Sequence, residues 1–256
     1  MRALFLPLPN GMIYEAVTRR IPDAFVATPV TRPRGTYSRL SSSAATAQFN
    51  TVFGMPQNGI TIVVFCRNTS TSGFDAGAIL KVGSPTTGYG IGVGSGVVDS
   101  WDTPASAQRL TGLYEAVAWK YPGSVVTVPS TGIEYYCAAM RISANNTGGI
   151  YAPGLGEGTW AASTPVAPAS NTYIGGYQSG RYPEEHELLA AALFSSILTN
   201  ADVLSLYNDP WQLFQPSRIY IPQATAAGYT HPTLSVATAL EISATSFKPS
   251  VTYTFS

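Results

Sequence analysis

The sequence predicts an all-β fold, an antiparallel β-sandwich closed by one short helix. Three observations predict it: short β-prone runs follow one another from Gly35 onward, clusters of Gly, Pro, Asn and Ser separate them, and helical periodicity is nearly absent. With 256 residues the chain can bury one large core, and its 24 glycines and 19 prolines supply the turns.

The elements can be justified in order. Residues 1–34 hold Pro7, Pro9, Pro22, Pro29 and Pro33 and the pair Arg19-Arg20, which suits an extended arm or a strand that packs on something else. The clearest strand runs are 60–66, 78–82, 89–93, 113–119, 124–128, 134–142, 171–174 and 188–194. Gly88, Gly90, Gly92, Gly94 and Gly96 alternate with Tyr89, Ile91, Val93 and Ser95, and no phosphate-loop register exists there. That pattern is a strand with one bare face, open to another backbone or to large side chains.

One helix is expected near residue 200. Thr199 or Asn200 can cap it, Leu204 and Tyr207 follow Ala201 and Val203 at helical spacing, and Pro210 ends it. A helix of two turns is marginal alone, so its apolar face must dock on a sheet, with Trp211, Leu213 and Phe214 turning inward after it. At the C-terminus Leu234, Val236, Leu240 and Ile242 share one face of a strand. Val251, Tyr253 and Phe255 repeat the device after a connection through Lys248-Pro249. A two-stranded ribbon is at best marginally stable in water, so this apolar face is expected to be covered, by the sandwich or by a neighbouring subunit.

Charge narrows the partners. Lys plus Arg number 14 and Asp plus Glu 14, so no single-sign field is available and neither nucleic acid nor anionic lipid is an expected partner. Charged residues make up 11%, against roughly 25% in ordinary soluble domains, and such a neutral surface suits a subunit of an assembly. The apolar run at the N-terminus breaks at Pro7, so no signal peptide is expected. No stretch reaches the roughly 20 apolar residues of a membrane span, so no membrane insertion is expected either. Cys66 and Cys137 lie in apolar strand-like runs and are expected to be buried free thiols.

Between about Gly35 and Pro216 the chain resembles the laminin-G-like branch of the concanavalin A-like jelly rolls. The likeness is carried by Gly59-Ile-Thr-Ile-Val-Val-Phe, by Ala78-Ile-Leu-Lys-Val-Gly with Gly88-Tyr-Gly-Ile-Gly-Val, and by Glu134-Tyr-Tyr-Cys-Ala-Ala-Met ahead of Gly149-Ile-Tyr-Ala-Pro-Gly. Asn171-Thr-Tyr-Ile-Gly-Gly and the strand and helix over 189–207 complete it. The ending Asn208-Asp209-Pro210-Trp211 resembles that of such modules in tailed bacteriophages and prophages. The resemblance bounds a laminin-G-like jelly roll over 35–216 and leaves outside it an N-terminal arm over 1–34 and a C-terminal β-ribbon over 217–256, which its apolar face makes the expected anchoring segment.

Site chemistry follows from the same resemblance. Hydrolases of the wider family place carboxylates in a Glu-x-Asp-x-x-Glu arrangement, absent here, and hydrolysis needs two carboxylates about 5 to 9.5 Å apart. The cluster Glu184-Glu185-His186-Glu187 is therefore expected to be the solvated start of a strand, with His186 and His231 as surface histidines. Calcium binds many laminin-G-like domains, and Asp75, Asp99 and Asp102 are the loop carboxylates available for it, but they form no calcium-loop signature. No catalytic residue, metal or cofactor is expected.

Glycan binding is the family's other use and needs aromatic platforms beside amides and hydroxyls. Trp101, Tyr151, Trp160, Tyr177 and Tyr182 fall in loop-like stretches and are the candidates. Leu234, Val236, Leu240, Ile242, Val251, Tyr253 and Phe255 are the candidate assembly contacts. The functional expectation is a non-enzymatic bacteriophage virion protein, decorating the capsid or attached to the tail, whose partners are other virion subunits and further copies of itself. The alternative is a lectin-like receptor-binding module for host surface glycans.

Overall fold

The computed structural model describes residues 1–26, 28–40, 44–54, 58–69, 77–83, 87–94, 109–114, 126–128, 135–144, 147–160, 167–176, 183, 186–214, 235–243 and 246–254. These residues form 18 strands, one α-helix and one 3-10 turn. The first six strands are β1 (Ala3–Pro7), β2 (Ile13–Glu15), β3 (Ala24–Phe25), β4 (Thr28–Arg32), β5 (Gly35–Arg39) and β6 (Ala47–Phe49). The next are β7 (Ile60–Asn68), β8 (Gly77–Val82), β9 (Tyr89–Gly94), β10 (Arg109–Tyr114), β11 (Val126–Thr127) and β12 (Tyr136–Ile142). Then come β13 (Gly148–Ala152), β14 (Gly156–Trp160), β15 (Thr172–Ile174), β16 (His186–Phe194), helix α1 (Asn200–Asn208), the 3-10 turn Pro210–Phe214, β17 (Ser235–Ser243) and β18 (Ser246–Thr254). The chain divides into two compact units, Met1–Phe214 and Gln215–Ser256.

The first unit is a two-sheet antiparallel sandwich. One sheet runs β14-β13-β12-β7-β16-β1-β2, with β5 paired to β16 and β4 to β5; the other runs β11-β10-β9-β8-β15-β6-β3. Alternation dictates the layering. Ile60, Ile62, Val64 and Cys66 of β7 and Tyr136, Ala138, Met140 and Ile142 of β12 pack between the sheets with Ile79, Val82, Tyr89, Ile91 and Val93. The intervening residues Val63, Phe65, Cys137 and Ala139 pack on the other side with Val203 and Leu206 of α1. Central strands of the larger sheet are thus covered on both faces, which is why β7 and β12 read as nearly unbroken apolar runs instead of alternating ones.

Helix α1 docks on this outer face as expected, but through Val203 and Leu206 with Tyr207 partly buried, while Ala201 and Leu204 of the expected pattern are exposed. Thr199 is the cap: its hydroxyl accepts from the Asp202 amide at 3.1 Å, and the Asp202 carboxylate accepts from the Thr199 amide at 2.7 Å. The expectation that aromatics follow the helix inward is corrected for two of three residues. Leu213 is partly buried, whereas Trp211 and Phe214 are 48% and 44% exposed. Trp211 covers Gly35 with one edge of its indole and leaves about half of its surface in water.

The N-terminal segment does not stand apart as an arm. β1 lies between β16 and β2, with Leu4 opposite Ala192 and Leu6 opposite Tyr14. Phe5 packs against Phe49 of the opposing sheet with ring centres 5.2 Å apart and the planes tilted by 54°. Buried Glu15 holds the corner by accepting from the amides of Leu4, Val17 and Thr18 at 3.1, 2.9 and 2.8 Å. Pro7 ends β1 and Pro29 lies in the edge strand β4, positions where a missing backbone donor is tolerated.

Register confirms the bare face of β9. Tyr89, Ile91 and Val93 enter the core, while Gly90 lies opposite Lys81, a fully buried side chain that bonds to the Thr87 carbonyl. Cys66 and Cys137 are buried free thiols on opposite faces of the larger sheet.

In the second unit β17 and β18 pair antiparallel. Val236 lies opposite Tyr253, Leu240 opposite Pro249 and Ile242 opposite Phe247, so both apolar stripes occupy one face of the ribbon. Lys248 and Pro249 lie inside β18, not in the connection as expected; every strand of a two-stranded ribbon is an edge, where proline is tolerated. Leu234 and Phe255 lie outside the described residues.

Candidate ligand-binding groove

The edge of the larger sheet forms a groove of about 300 Å³, lined by Arg141, Ser143, Thr147, Gly148, Gly149, Glu157, Thr159 and Ile197. Local sequence explains its shape. The Ser143 amide donates to the Thr147 carbonyl at 2.7 Å and their hydroxyls lie 2.8 Å apart, which closes the turn between β12 and β13. Gly149 faces Thr159 across the pair, and a Cβ there would collide with the Gly158 carbonyl oxygen. Glycine therefore permits the close approach of β13 to β14 and leaves the floor bare. Thr61 fixes the opposite wall: its hydroxyl donates to the Ser196 carbonyl at 2.8 Å and accepts from the Leu198 amide at 3.0 Å, holding Ile197 between them.

Arg141 is the largest charged group of the groove. Its guanidinium lies 3.9 Å from the Glu157 carboxylate and 5.3 Å from the centre of the Tyr151 ring. Nε and Nη2 are buried without a hydrogen-bond partner. Burial pulls its pKa below the ordinary value, opposed by Glu157, Tyr151 and Asp202. Asn200 of α1 donates to the other Glu157 oxygen at 3.2 Å, which ties the helix to the sheet edge. The groove thus offers three hydroxyls, one carboxylate acceptor and one guanidinium donor on a glycine floor. Glu157 is the one carboxylate among its lining residues, so the two-carboxylate arrangement of glycoside hydrolysis is not assembled there.

Two of the five aromatic candidates belong to this sheet edge. Tyr151 is half-buried in β13, opposite Glu157, and Trp160 ends β14 opposite Gly148. Both are strand residues, not loop residues as expected. Trp101, Tyr177 and Tyr182 lie outside the described residues, as do Asp75, Asp99, Asp102, Glu184, Glu185 and His231. No cluster of metal-ligating side chains occurs among the described residues, and no helix among them is long and apolar enough to cross a membrane. Sequence reading missed Arg141, Ser143, Thr147, Glu157 and Thr159, because polar residues scattered over β12, a turn and β14 form no motif. The glycine pairs flanking Tyr151 were the available signal.

The acidic cluster is corrected. His186 and Glu187 are fully buried, not solvated. Arg32 donates to Glu187 through Nε at 3.0 Å and Nη2 at 2.8 Å, with Arg39 and Arg67 at 3.3 and 3.5 Å. Burial pushes the Glu187 carboxyl up, but hydrogen bonds and charge from these arginines outweigh it and hold the carboxyl below its ordinary value. His186 meets Tyr136 edge-on at 6.1 Å, and its carbonyl accepts from the Leu40 amide at 2.9 Å. The arginines come from distant strands, so the local pattern around residue 186 could not show the burial.

Fold and groove define an antiparallel jelly-roll β-sandwich with a polar surface cleft. No family model matches the chain, and no curated protein matches it. Among solved structures it is similar to the binding domain of Paraclostridial Mosquitocidal Protein 1, at 10% identity and a TM-score of 0.60 over 81% of this chain and 52% of that one. It is also similar to the binding domain of botulinum neurotoxin DC in complex with rat synaptotagmin II, at 13% identity and a TM-score of 0.57 over 80% and 50%. A third is botulinum neurotoxin type C, whose cell entry is described as dependent upon interaction with two ganglioside molecules, at 11% identity and a TM-score of 0.53 over 80% and 50%. The chain spans about half the length of these structures, and identity at this level shows the fold alone.

Proposed function

We propose that this chain is a non-enzymatic binding module that recognises carbohydrate through the groove at the β12-β13-β14 edge, with no cofactor. The observation that carries it is the convergence of Ser143, Thr147, Thr159, Glu157 and Arg141 on a bare glycine floor beside Tyr151. Sugars present alternating hydroxyls and apolar ring faces, and a polar cleft edged by an aromatic ring complements both. The similarity to toxin binding domains, one from a neurotoxin that depends on gangliosides and one in complex with a protein receptor, supports a receptor-binding role. A glycan array tests the reading. Wild-type protein binds a defined set of sugars, and Glu157→Gln loses that set; an array with no signal above background overturns it.

A second reading places the module on a bacteriophage virion, as a capsid-decorating or tail-associated subunit among other virion proteins and further copies of itself. The β17-β18 register supports it by gathering Val236, Leu240, Ile242, Val251 and Tyr253 onto one face. In this reading the ribbon anchors the protein and the groove faces the host. Sedimentation of the full chain and of a form lacking residues 229–256 tests the anchor. An assembly that the truncation reduces to monomers supports it, and identical sedimentation contradicts it.

A further inference from the structure

Across β5, β16 and β7 the residues Arg39, Glu187 and Arg67 form one cross-strand row, with Arg39 and Arg67 each opposite Glu187. Arg32 reaches the same carboxylate from β4 and satisfies both its oxygens with the two shortest bonds, 3.0 and 2.8 Å. Arg39 and Arg67, at 3.3 and 3.5 Å, are therefore not needed to neutralise Glu187, and their bonds to it are long. Among the described residues the row together with Arg32 sets three guanidinium cations against one carboxylate, in a chain with only 14 cationic side chains. Arg39 and Arg67 keep 49% and 25% of their side-chain surface in solvent, and each guanidinium has more N–H donors than its single long bond to Glu187 uses. Flanking strands place these two residues about 10 Å apart at the backbone, close enough for both guanidinium groups to converge on one oxyanion.

The same face carries an aromatic platform. Trp211 stacks at 5.6 Å on Phe214, both rings about half exposed, and Trp211 lies over Gly35, the residue opposite Arg32. Gly35 is four residues along β5 from Arg39, a span of about 13 Å in a strand, within the reach of a short oligosaccharide. A lone small anion would use the arginines and leave the platform empty. A chain of sugars bearing acidic groups would use both: charge-assisted bonds for the oxyanion and a ring face for the indole.

We propose that Arg39, Arg67 and Arg32, with Trp211 and Phe214, form a second ligand site, selective for carboxylate- or sulfate-bearing saccharides. It is separate from the groove and does not depend on the groove's reading. Surface plasmon resonance tests it, with immobilised heparin, polygalacturonate and neutral dextran, at low and at physiological ionic strength. Wild-type protein binds one or both acidic polymers and not dextran, and salt weakens the binding. Arg39→Gln, at the most exposed of the three arginines, weakens it about tenfold, Arg39→Lys restores part of it, and the thermal midpoint of both variants stays within a few degrees of wild type. Glu157→Gln leaves it unchanged, so failure of either site is seen independently of the other. Equal binding to dextran, no binding to either acidic polymer at low salt, or full binding by Arg39→Gln overturns the proposal.

Discussion

Arg32 and Glu187, 155 residues apart in sequence, are joined by two hydrogen bonds of 3.0 and 2.8 Å over a carboxylate with no solvent exposure. The pair fastens the β4-β5 hairpin to β16. Removing one partner from a buried pair costs roughly 3 kcal/mol or more, because the survivor is left uncompensated. Glu187→Gln should therefore lower the thermal midpoint clearly at neutral pH.

Acid should erase that difference. The folded pKa of Glu187 is depressed below 4.5, so its contribution is fully present above the ordinary carboxylate range and is lost as pH falls through the depressed folded value. Thermal scans from pH 7 down to strongly acidic buffer should show the wild-type advantage shrinking toward zero. Parallel curves for the two proteins would contradict the assignment.

The capping box offers a second check. Thr199 and Asp202 satisfy each other's amides, and the Thr199 hydrogen bonds hold the Asp202 carboxyl below its ordinary pKa. Thr199→Ala should cost about 1 kcal/mol in urea unfolding. A change within error would mean that docking of Val203 and Leu206, not the cap, sets the stability of α1.

Much of the fold was legible because the physics is local. Alternating Tyr89, Ile91 and Val93, the Thr199 cap and the Pro210 stop each depend on neighbours a few residues away. The strands β1, β4 and β5 were not legible in the same way, since prolines lie in or beside them, β1 and β5 pair with β16 some 190 and 150 residues later, and β4 joins the sheet through β5. Trp211 misled for a related reason: an aromatic after a helix reads as a plug, and only the position of Gly35 shows that one edge suffices. The groove failed to appear because its polar groups are divided between β12, the following turn and β14, while Tyr151 was visible as an aromatic.

Burial raises both cysteine pKa values well above the ordinary thiol range. Neither Cys66 nor Cys137 should react with a thiol reagent in the native protein, and both should react on unfolding. The faces they occupy also forbid a bridge, so mass mapping without reductant should find two free thiols. Rapid labelling of folded protein would place one of them wrongly.

Gly149→Ala should separate β13 from β14 by forcing a Cβ against the Gly158 carbonyl. The expected loss is about 1–3 kcal/mol, with loss of groove binding. Native stability and unchanged binding would show that the sheet edge accommodates the methyl group and that the bare floor is not needed.

The carbohydrate reading is tested most directly by an amide NMR titration of isotope-labelled protein with a sugar selected on the array. Saturable shifts should centre on Ser143, Thr147, Gly148, Gly149 and Thr159, and should vanish in Glu157→Gln. Saturable shifts confined to any other face of the sandwich, with those amides still, would contradict it.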